Sequence, residues 1–437
     1  MASDTWQNWA GTQSAAPRRF ATPTNTRELS SLVAEAASRG QRVKAVGAGH
    51  SFTGVAVTDG VLVSLDNLSG IDSITPTDDG ALVTVFAGTR LHALNDALWQ
   101  RGYAMANLGD IDVQSLAGAT STGTHGTGAR FGGIATQIRG IEIVLADGSV
   151  VTASADENVE LFEAGRLGLG AIGIISKITL ACVPRFTLRA IEEPDTLSHI
   201  LDTLEGDRLG LDHFEFYWFP HTDRVLTKSN TRLPGDTEPD PVGKVRAFVD
   251  DELLSNTLFE GVNRVATLAP AAIPRINNVS SRLLGAREFT DRSYRVFASS
   301  RRVKFKEMEY AIPREHVTET LHEIDRWMKK SGTNVAFPVE VRFAAADDLW
   351  LSTAHGRDTA YIAVHQYHRR PETEYFAAVE AIARAVDGRP HWGKMHNLTV
   401  DDLRPTYDRL DDFVAVRDKY DANRVFDNEY LRQVLGD

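Results

Sequence analysis

Cysteine is nearly absent: Cys182 is the only one in 437 residues. One thiol excludes internal disulfides, cysteine-ligated iron–sulfur clusters and four-cysteine zinc sites. Redox chemistry on this chain would therefore need a bound cofactor. Basic runs are missing too. With 47 Lys and Arg against 59 Asp and Glu, the formal charge is −12, and nothing offers a footprint for a phosphate backbone, so nucleic acid is not expected as a partner. No stretch of about 18 apolar residues occurs, and the start MASDTWQNWAGTQSAAPRRF has no charged head followed by an apolar run. A cytoplasmic protein without membrane contact is expected. The rest is the balance of a globular chain with large cores, 42% hydrophobic and 24% charged. Its length, about three times the ~150-residue domain prior, predicts two or three domains.

The first 185 residues read as short strands with a few helices and frequent glycine. Asn25 followed by Glu28 predicts an N-cap, with Leu29, Leu32, Val33 and Ala36 on one helical face that stops at Gly40. Arg42 to Val46, Gly60 to Leu65 and Ala81 to Phe86 read as strands, and Leu91 to Leu98 as a helix ending near Gly102. Ile141 to Leu145 and Ser149 to Thr152 form a hairpin about Asp147-Gly148. From Phe186 the strands lengthen, as in Leu211 to Phe219 and Val303 to Ala311, with an amphipathic helix through Val317, Leu321, Ile324 and Met328. That pattern predicts an antiparallel sheet with helices on one face. Leu233 to Gly243 reads as a loop and Val249 to Leu284 as irregular helix. The expected class is α+β, divided as 1–185, 186–387 and a C-terminal segment 388–437 that returns to the first domain.

Two glycine-rich loops carry the first chemical signal. Val46-Gly47-Ala48-Gly49-His50-Ser51-Phe52 follows a strand, but Phe52 stands where a Rossmann loop needs a third glycine, and Val55 to Leu65 reads as strand rather than helix. It is either a plain turn or a nest of amides around a pyrophosphate. Leu116 to Gly128 interleaves Gly118, Gly123, Gly126 and Gly128 with Thr and Ser residues. Glycine this dense costs conformational entropy that a closely held phosphorylated cofactor would offset.

Together the segments GAGHSF and STGTHGTG resemble the vanillyl-alcohol oxidase type of flavoprotein, in its sugar-1,4-lactone and alditol oxidase branch. The resemblance spans essentially the whole chain. It implies a PCMH-type FAD-binding domain, an antiparallel substrate (cap) domain, and FAD joined covalently to the histidine matching His50; some lactone dehydrogenases have leucine there. It further implies that Val46, Gly47, Ala48, Gly49, His50, Ser51, Gly109, Asp110, Ser115, Gly118, Thr122, Gly123, Thr124, His125 and Ile175 hold the cofactor. The last residue closes a further run, Gly168 to Ile175, which a tight helix–strand junction would explain as well.

Within Pro338 to Phe343, Glu340 and Arg342 lie two apart and so share one strand face. Spacing alone fits a solvated ion pair as readily as a polyol-binding pair. The resemblance implies the latter, and adds His365, in the strand Ile362 to Tyr367, and Lys394, in His391-Trp392-Gly393-Lys394-Met395-His396, as catalytic partners. Asp110, Glu340, Arg342, Tyr367 and Lys394 are the expected substrate contacts. Alditol oxidases have serine at the position of Asp110 and threonine at that of Tyr367, which favours a lactone, L-gulono-1,4-lactone first, over an alditol. Some lactone dehydrogenases have alanine where this chain has Gly109, so glycine favours O2 as acceptor and hydrogen peroxide as product. No metal is expected, because no HExxH or histidine–carboxylate set accompanies the histidines.

Overall fold

A computed structural model describes residues 5–243, 259–283, 285–298 and 303–437. Its first helix, Thr26–Ser38, begins where Asn25 accepts from Glu28 N, while Glu28 accepts from Thr24 N, and it buries Leu29, Leu32, Val33 and Ala36. Beside it lies a parallel three-stranded sheet ordered Arg19–Ala21, Val61–Ser64, Val43–Val46. The central strand is buried along its whole length, which suits its Val-rich run. This corrects the strand expected over Val55 to Leu65. Parallel neighbours need a crossover, and the chain spends Gly54–Ala56 on a 3-10 turn before the strand starts at Val61.

An antiparallel sheet follows, with Ile174–Pro184 paired to Ile138–Val144 on one side and Gly80–Phe86 on the other. Cys182 is buried in it, and burial raises its thiol pKa to about 12. The Asp147-Gly148 turn closes the expected hairpin between Ile138–Val144 and Val150–Ser154, with Gly148 at a φ of +85°.

At Pro184 the first sheet ends, and Phe186 starts an eight-stranded antiparallel sheet. The four strands that matter are His213–Phe219, Val339–Ala344, Thr359–Tyr367 and Phe305–Pro313, adjacent in that order. Helices Val317–Ser331 and Thr373–Arg384 cover one side. The irregular helix expected over Val249 to Leu284 lies partly outside the described residues; the rest forms Phe259–Leu268 and Ile273–Leu283. Arg389–Pro390 still pairs with this large sheet, and His391 N and Met395 N donate to Glu309 O and Glu307 O of it before the chain turns back. It then docks on the first domain, where Val43 N donates to Val425 O and the Asn428 amide donates to the carbonyls of Gly54, Val55 and Val57. No helix among the described residues is long and apolar enough to cross a membrane.

Candidate active site

The two glycine loops pack on each other. A side chain on Gly47 would overlap the Ser115 hydroxyl, which itself caps the helix Leu116–Ser121 by accepting from Gly118 N. Gly49 and Gly170 both have positive φ, +70° and +61°. The loops and the run Gly168 to Ile175 line one long cleft, and Val46, Gly47, Ala48, Gly49, His50, Ser51, Ser115, Gly118, Thr122 and Ile175 all reach its wall. A separate cavity of about 330 Å³ lies between this domain and the large sheet, within the ~300–1,000 Å³ of small-molecule sites. His50, Ser51, Gln114 and Thr122 line both, so cleft and cavity meet there.

The cavity floor follows from strand register. Glu340 pairs with Ala363, which pairs with Glu309; Glu307 pairs with His365; Arg342 pairs with Tyr361. The period of two puts these side chains on one face and turns Val341, Phe343 and Met308 into the core. Ala363 leaves room between the two glutamates.

Around Arg342 three carboxylates converge: Glu215 at 2.8 Å, Asp110 at 3.3 Å, and Glu340 in direct contact. Burial opposes the guanidinium charge, but Asp110, Glu340 and Glu215 outweigh it and hold the arginine well above its usual pKa. A second cluster surrounds Lys394, whose Nζ is 2.5 Å from Glu307. Burial works against the Glu307 carboxylate, yet Lys394 and His365 bring its pKa down to about 2. Burial likewise opposes Lys394, and Glu307 and Glu309 raise its pKa, so it stays charged. His125 stacks on Tyr361 at 3.5 Å, its Nδ1–H donates to Gly126 O, and its Nε2 lies 2.9 Å from Glu309 Oε1. His50 is pushed down to about 4, first by burial and then by Lys394 and Arg90, so its imidazole is neutral.

Several expected positions differ. Glu340 and His365 do not reach the cavity wall; Glu340 lies beneath Arg342, accepting from Tyr217 OH, and His365 lies beneath Glu307, its Nδ1–H donating to Pro338 O. His125 and Thr124 line the cavity rather than the cleft, and Asp110 likewise. Gly109 and Gly123 line neither, since both are turned toward neighbouring loops: a side chain on Gly109 would face His125 O at 3.1 Å, and one on Gly123 the Leu167 side chain at 3.3 Å. Tyr367 is corrected most. It is fully buried among Phe52, Val303, Phe305 and Phe337, and its hydroxyl donates to Glu260 at 2.6 Å, because the aromatic cluster ends the cavity before reaching it.

Sequence reasoning missed Glu307, Glu309, Glu215 and Gln114. The first pair had the same signal as Glu340 and Arg342, two charged residues two apart in an otherwise apolar strand. Glu309 also joins His125 and His391 in a group whose ligand atoms lie within 4.8 Å of one another, close enough for a metal. In this structure His125 bonds Glu309 directly and His391 Nδ1 accepts from Gly393 N.

Lys44 was also missed. It lines the cleft, and its buried ammonium donates to Gly170 O and Phe426 O, both at 3.1 Å, joining three distant segments. Desolvation lowers its pKa to about 7, against partial support from Asp427 and Asp421. An amine with a depressed folded pKa binds fewer protons folded than unfolded between pH 7 and its ordinary value, so stability rises with pH across that window. Lys44→Met is expected to flatten that rise; parallel denaturant titrations of both proteins at pH 7 and pH 10 measure it, and equal slopes would remove Lys44 as the cause.

Two family profiles match the chain: an FAD binding domain over residues 17–154 and D-arabinono-1,4-lactone oxidase over residues 178–434. L-gulono-1,4-lactone dehydrogenase of Mycobacterium tuberculosis is 43% identical over 99% of this chain and 100% of its own length. L-gulonolactone oxidase of Bos taurus is 34% identical, covering 98% of each. Among solved structures, cholesterol oxidase from B. sterolicum shares the fold, with a TM-score of 0.80 at 18% identity over 99% of this chain and 96% of that one.

FAD is the cofactor, and the cleft suits it. Gly47, Gly49, Gly118, Gly168, Gly170 and Gly173 line its wall without side chains, so peptide N–H groups can approach phosphate oxygens closely. Gly47→Ala should displace Ser115 from its cap and close the cleft locally. The purified variant is expected to show a flavin-to-protein absorbance ratio well below that of the wild type; an unchanged ratio would mean the Gly47–Ser115 contact does not shape the cofactor site. The glycine cleft, the cavity opening into it and the full-length likenesses together assign the chain to the D-arabinono-1,4-lactone oxidase family of FAD-dependent oxidoreductases.

Proposed function

We propose that this protein oxidises an aldono-1,4-lactone, with L-gulono-1,4-lactone the first candidate, by removing hydride from a CH–OH carbon. The observation that supports this reading is the junction at His50, where a cleft fitted to FAD opens into a cavity walled by fixed charges. FAD supplies the acceptor for the hydride. Arg342 and Lys394, both on the cavity wall, donate hydrogen bonds to lactone oxygens, and Asp110 and Glu307 accept from its hydroxyls. Glu340 and Glu215 hold the guanidinium of Arg342 in place, and His365 supports Glu307. The carboxylates on the wall also favour a neutral lactone over its ring-opened carboxylate. The single buried thiol suits a reducing compartment, so we place the protein in the cytoplasm.

An anaerobic bleaching screen over lactones and alditols, followed by air, tests substrate and acceptor together. Lactones should bleach the flavin far faster than xylitol or sorbitol; the reverse order would make the protein an alditol oxidase. O2 is the proposed acceptor, giving hydrogen peroxide. A methyl on Gly109 would press on His125 O at 3.1 Å and Thr124 Cγ2 at 3.2 Å, shifting two residues that line the cavity. Gly109→Ala should therefore lower O2 consumption relative to turnover with an artificial acceptor, and an unchanged ratio would separate Gly109 from acceptor choice.

Covalent attachment of FAD through His50 is part of the proposal. The imidazole is neutral, lines the cleft and the cavity, and among the described residues no hydrogen bond occupies either ring nitrogen. Acid-precipitated protein should keep its yellow colour, and His50→Ala should release all of it.

A further inference from the structure

Among the described residues no hydrogen bond holds the His50 ring; an aromatic residue stacks on it. The N-terminal hairpin pairs Trp6–Gln7 with Ser14–Ala15, and its turn lies on the first glycine loop. Trp9 N donates to Gly49 O at 2.8 Å, Asn8 Nδ2 to Ser51 O at 2.9 Å and Thr12 Oγ1 to Phe52 O at 3.1 Å. Three hydrogen bonds thus tie the hairpin to the residues flanking His50. Between them the Trp9 indole stacks on the imidazole, ring centres 5.4 Å apart and planes 24° from parallel, and it also meets Phe305 edge-on, at 5.4 Å.

We propose that Trp9 is the positioning residue for covalent flavin attachment, holding the His50 ring at one orientation so that a ring nitrogen meets the flavin methyl carbon. The proposal rests on the covalent reading above. In the step concerned, a bond forms between the imidazole nitrogen and the 8α carbon, while one methyl C–H and the imidazole N–H break. The two electrons and both hydrogens pass to the ring system of the same flavin, which O2 then reoxidises with release of hydrogen peroxide. The reaction needs a neutral imidazole held near its target. Burial, Lys394 and Arg90 account for the first condition, and stacking accounts for the second, since a ring without hydrogen bonds is otherwise free to turn about its side-chain torsions.

The test follows bond formation rather than turnover. Full-length protein produced under riboflavin limitation is incubated with saturating FAD, and flavin retained in the acid precipitate is measured over time beside total bound flavin. Trp9→Ala should bind FAD but form the bond roughly ten- to a hundredfold more slowly, and Trp9→Phe should stay near the wild-type rate. Trp9→Ala forming the bond at the wild-type rate would overturn the proposal. So would Trp9→Phe being as slow as Trp9→Ala, because a ring that only had to stack would serve. Should Trp9→Ala fail to fold, Trp9→Leu, which keeps the bulk without the ring, replaces it under the same criteria. Wild-type protein that retains no flavin after acid would instead refute the covalent reading beneath the proposal.

Discussion

Replacing Arg342 by Met is expected to abolish measurable lactone oxidation and to lower the stability of the protein at once. The side chain is 6% exposed, in direct contact with Glu340, 2.8 Å from Glu215 and 3.3 Å from Asp110. Removing one partner of a buried ion pair typically costs about 3–5 kcal/mol, because the remaining charges are left uncompensated. The loss of a preorganised donor at the reacting group adds about 10²–10³ in kcat. The two effects separate by design. Arg342→Met combined with Glu215→Gln removes one of the stranded charges, so it should recover part of the lost melting temperature without recovering kcat. If the double variant regains activity along with stability, Arg342 acts only through the fold and the proposed contact with substrate is wrong.

Lys394→Met should cost about 10²–10³ in kcat by the same electrostatic argument, with a smaller loss of stability and a distinct signature at acid pH. Lys394 is the nearest cation to Glu307 and the first attractive cause of that carboxylate's depressed pKa of about 2. A carboxylate with a depressed folded pKa adds stability that is complete above its unfolded value and disappears as pH falls through the folded one. In the wild type that contribution is therefore lost only between the usual carboxylate range and about pH 2. In Lys394→Met the folded pKa of Glu307 moves up, the contribution shrinks at neutral pH, and the acid-side fall in stability becomes shallower. Melting curves from pH 7 to pH 3 together with steady-state rates check both halves. Retention of more than half the wild-type kcat would remove Lys394 from the chemistry.

The helix Thr26–Ser38 and the Asp147-Gly148 hairpin were readable because cap, turn and periodicity are local properties. Glu340 and Arg342 were readable as neighbours for the same reason, since a strand repeats every two residues. What the spacing could not show is depth. Arg342 reaches the cavity wall while Glu340 lies under it, because His213–Phe219 brings Glu215 and Tyr217 alongside and the loop at Asp110 comes in from the other domain. Glu307 and Glu309 carried the same local signal but gained meaning only once Phe305–Pro313 was paired in register with Thr359–Tyr367. Tyr367 was misplaced because equivalence along a strand does not say where the neighbouring aromatic cluster ends the cavity.

The sequence by itself determined that this is an α+β chain with no internal disulfide, that its glycine loops suit a phosphorylated cofactor, and that the loop carrying His50 resembles that of a flavoprotein. Those conclusions need only composition, local geometry and motif. The tertiary structure decided which charges face the cavity, that Lys44 joins three distant segments beside the cleft, and that Trp9 lies on His50. Such facts depend on contacts between residues far apart in the chain, such as residue 9 with 50, 44 with 426 and 110 with 342, and no local pattern records which partners folding will bring together.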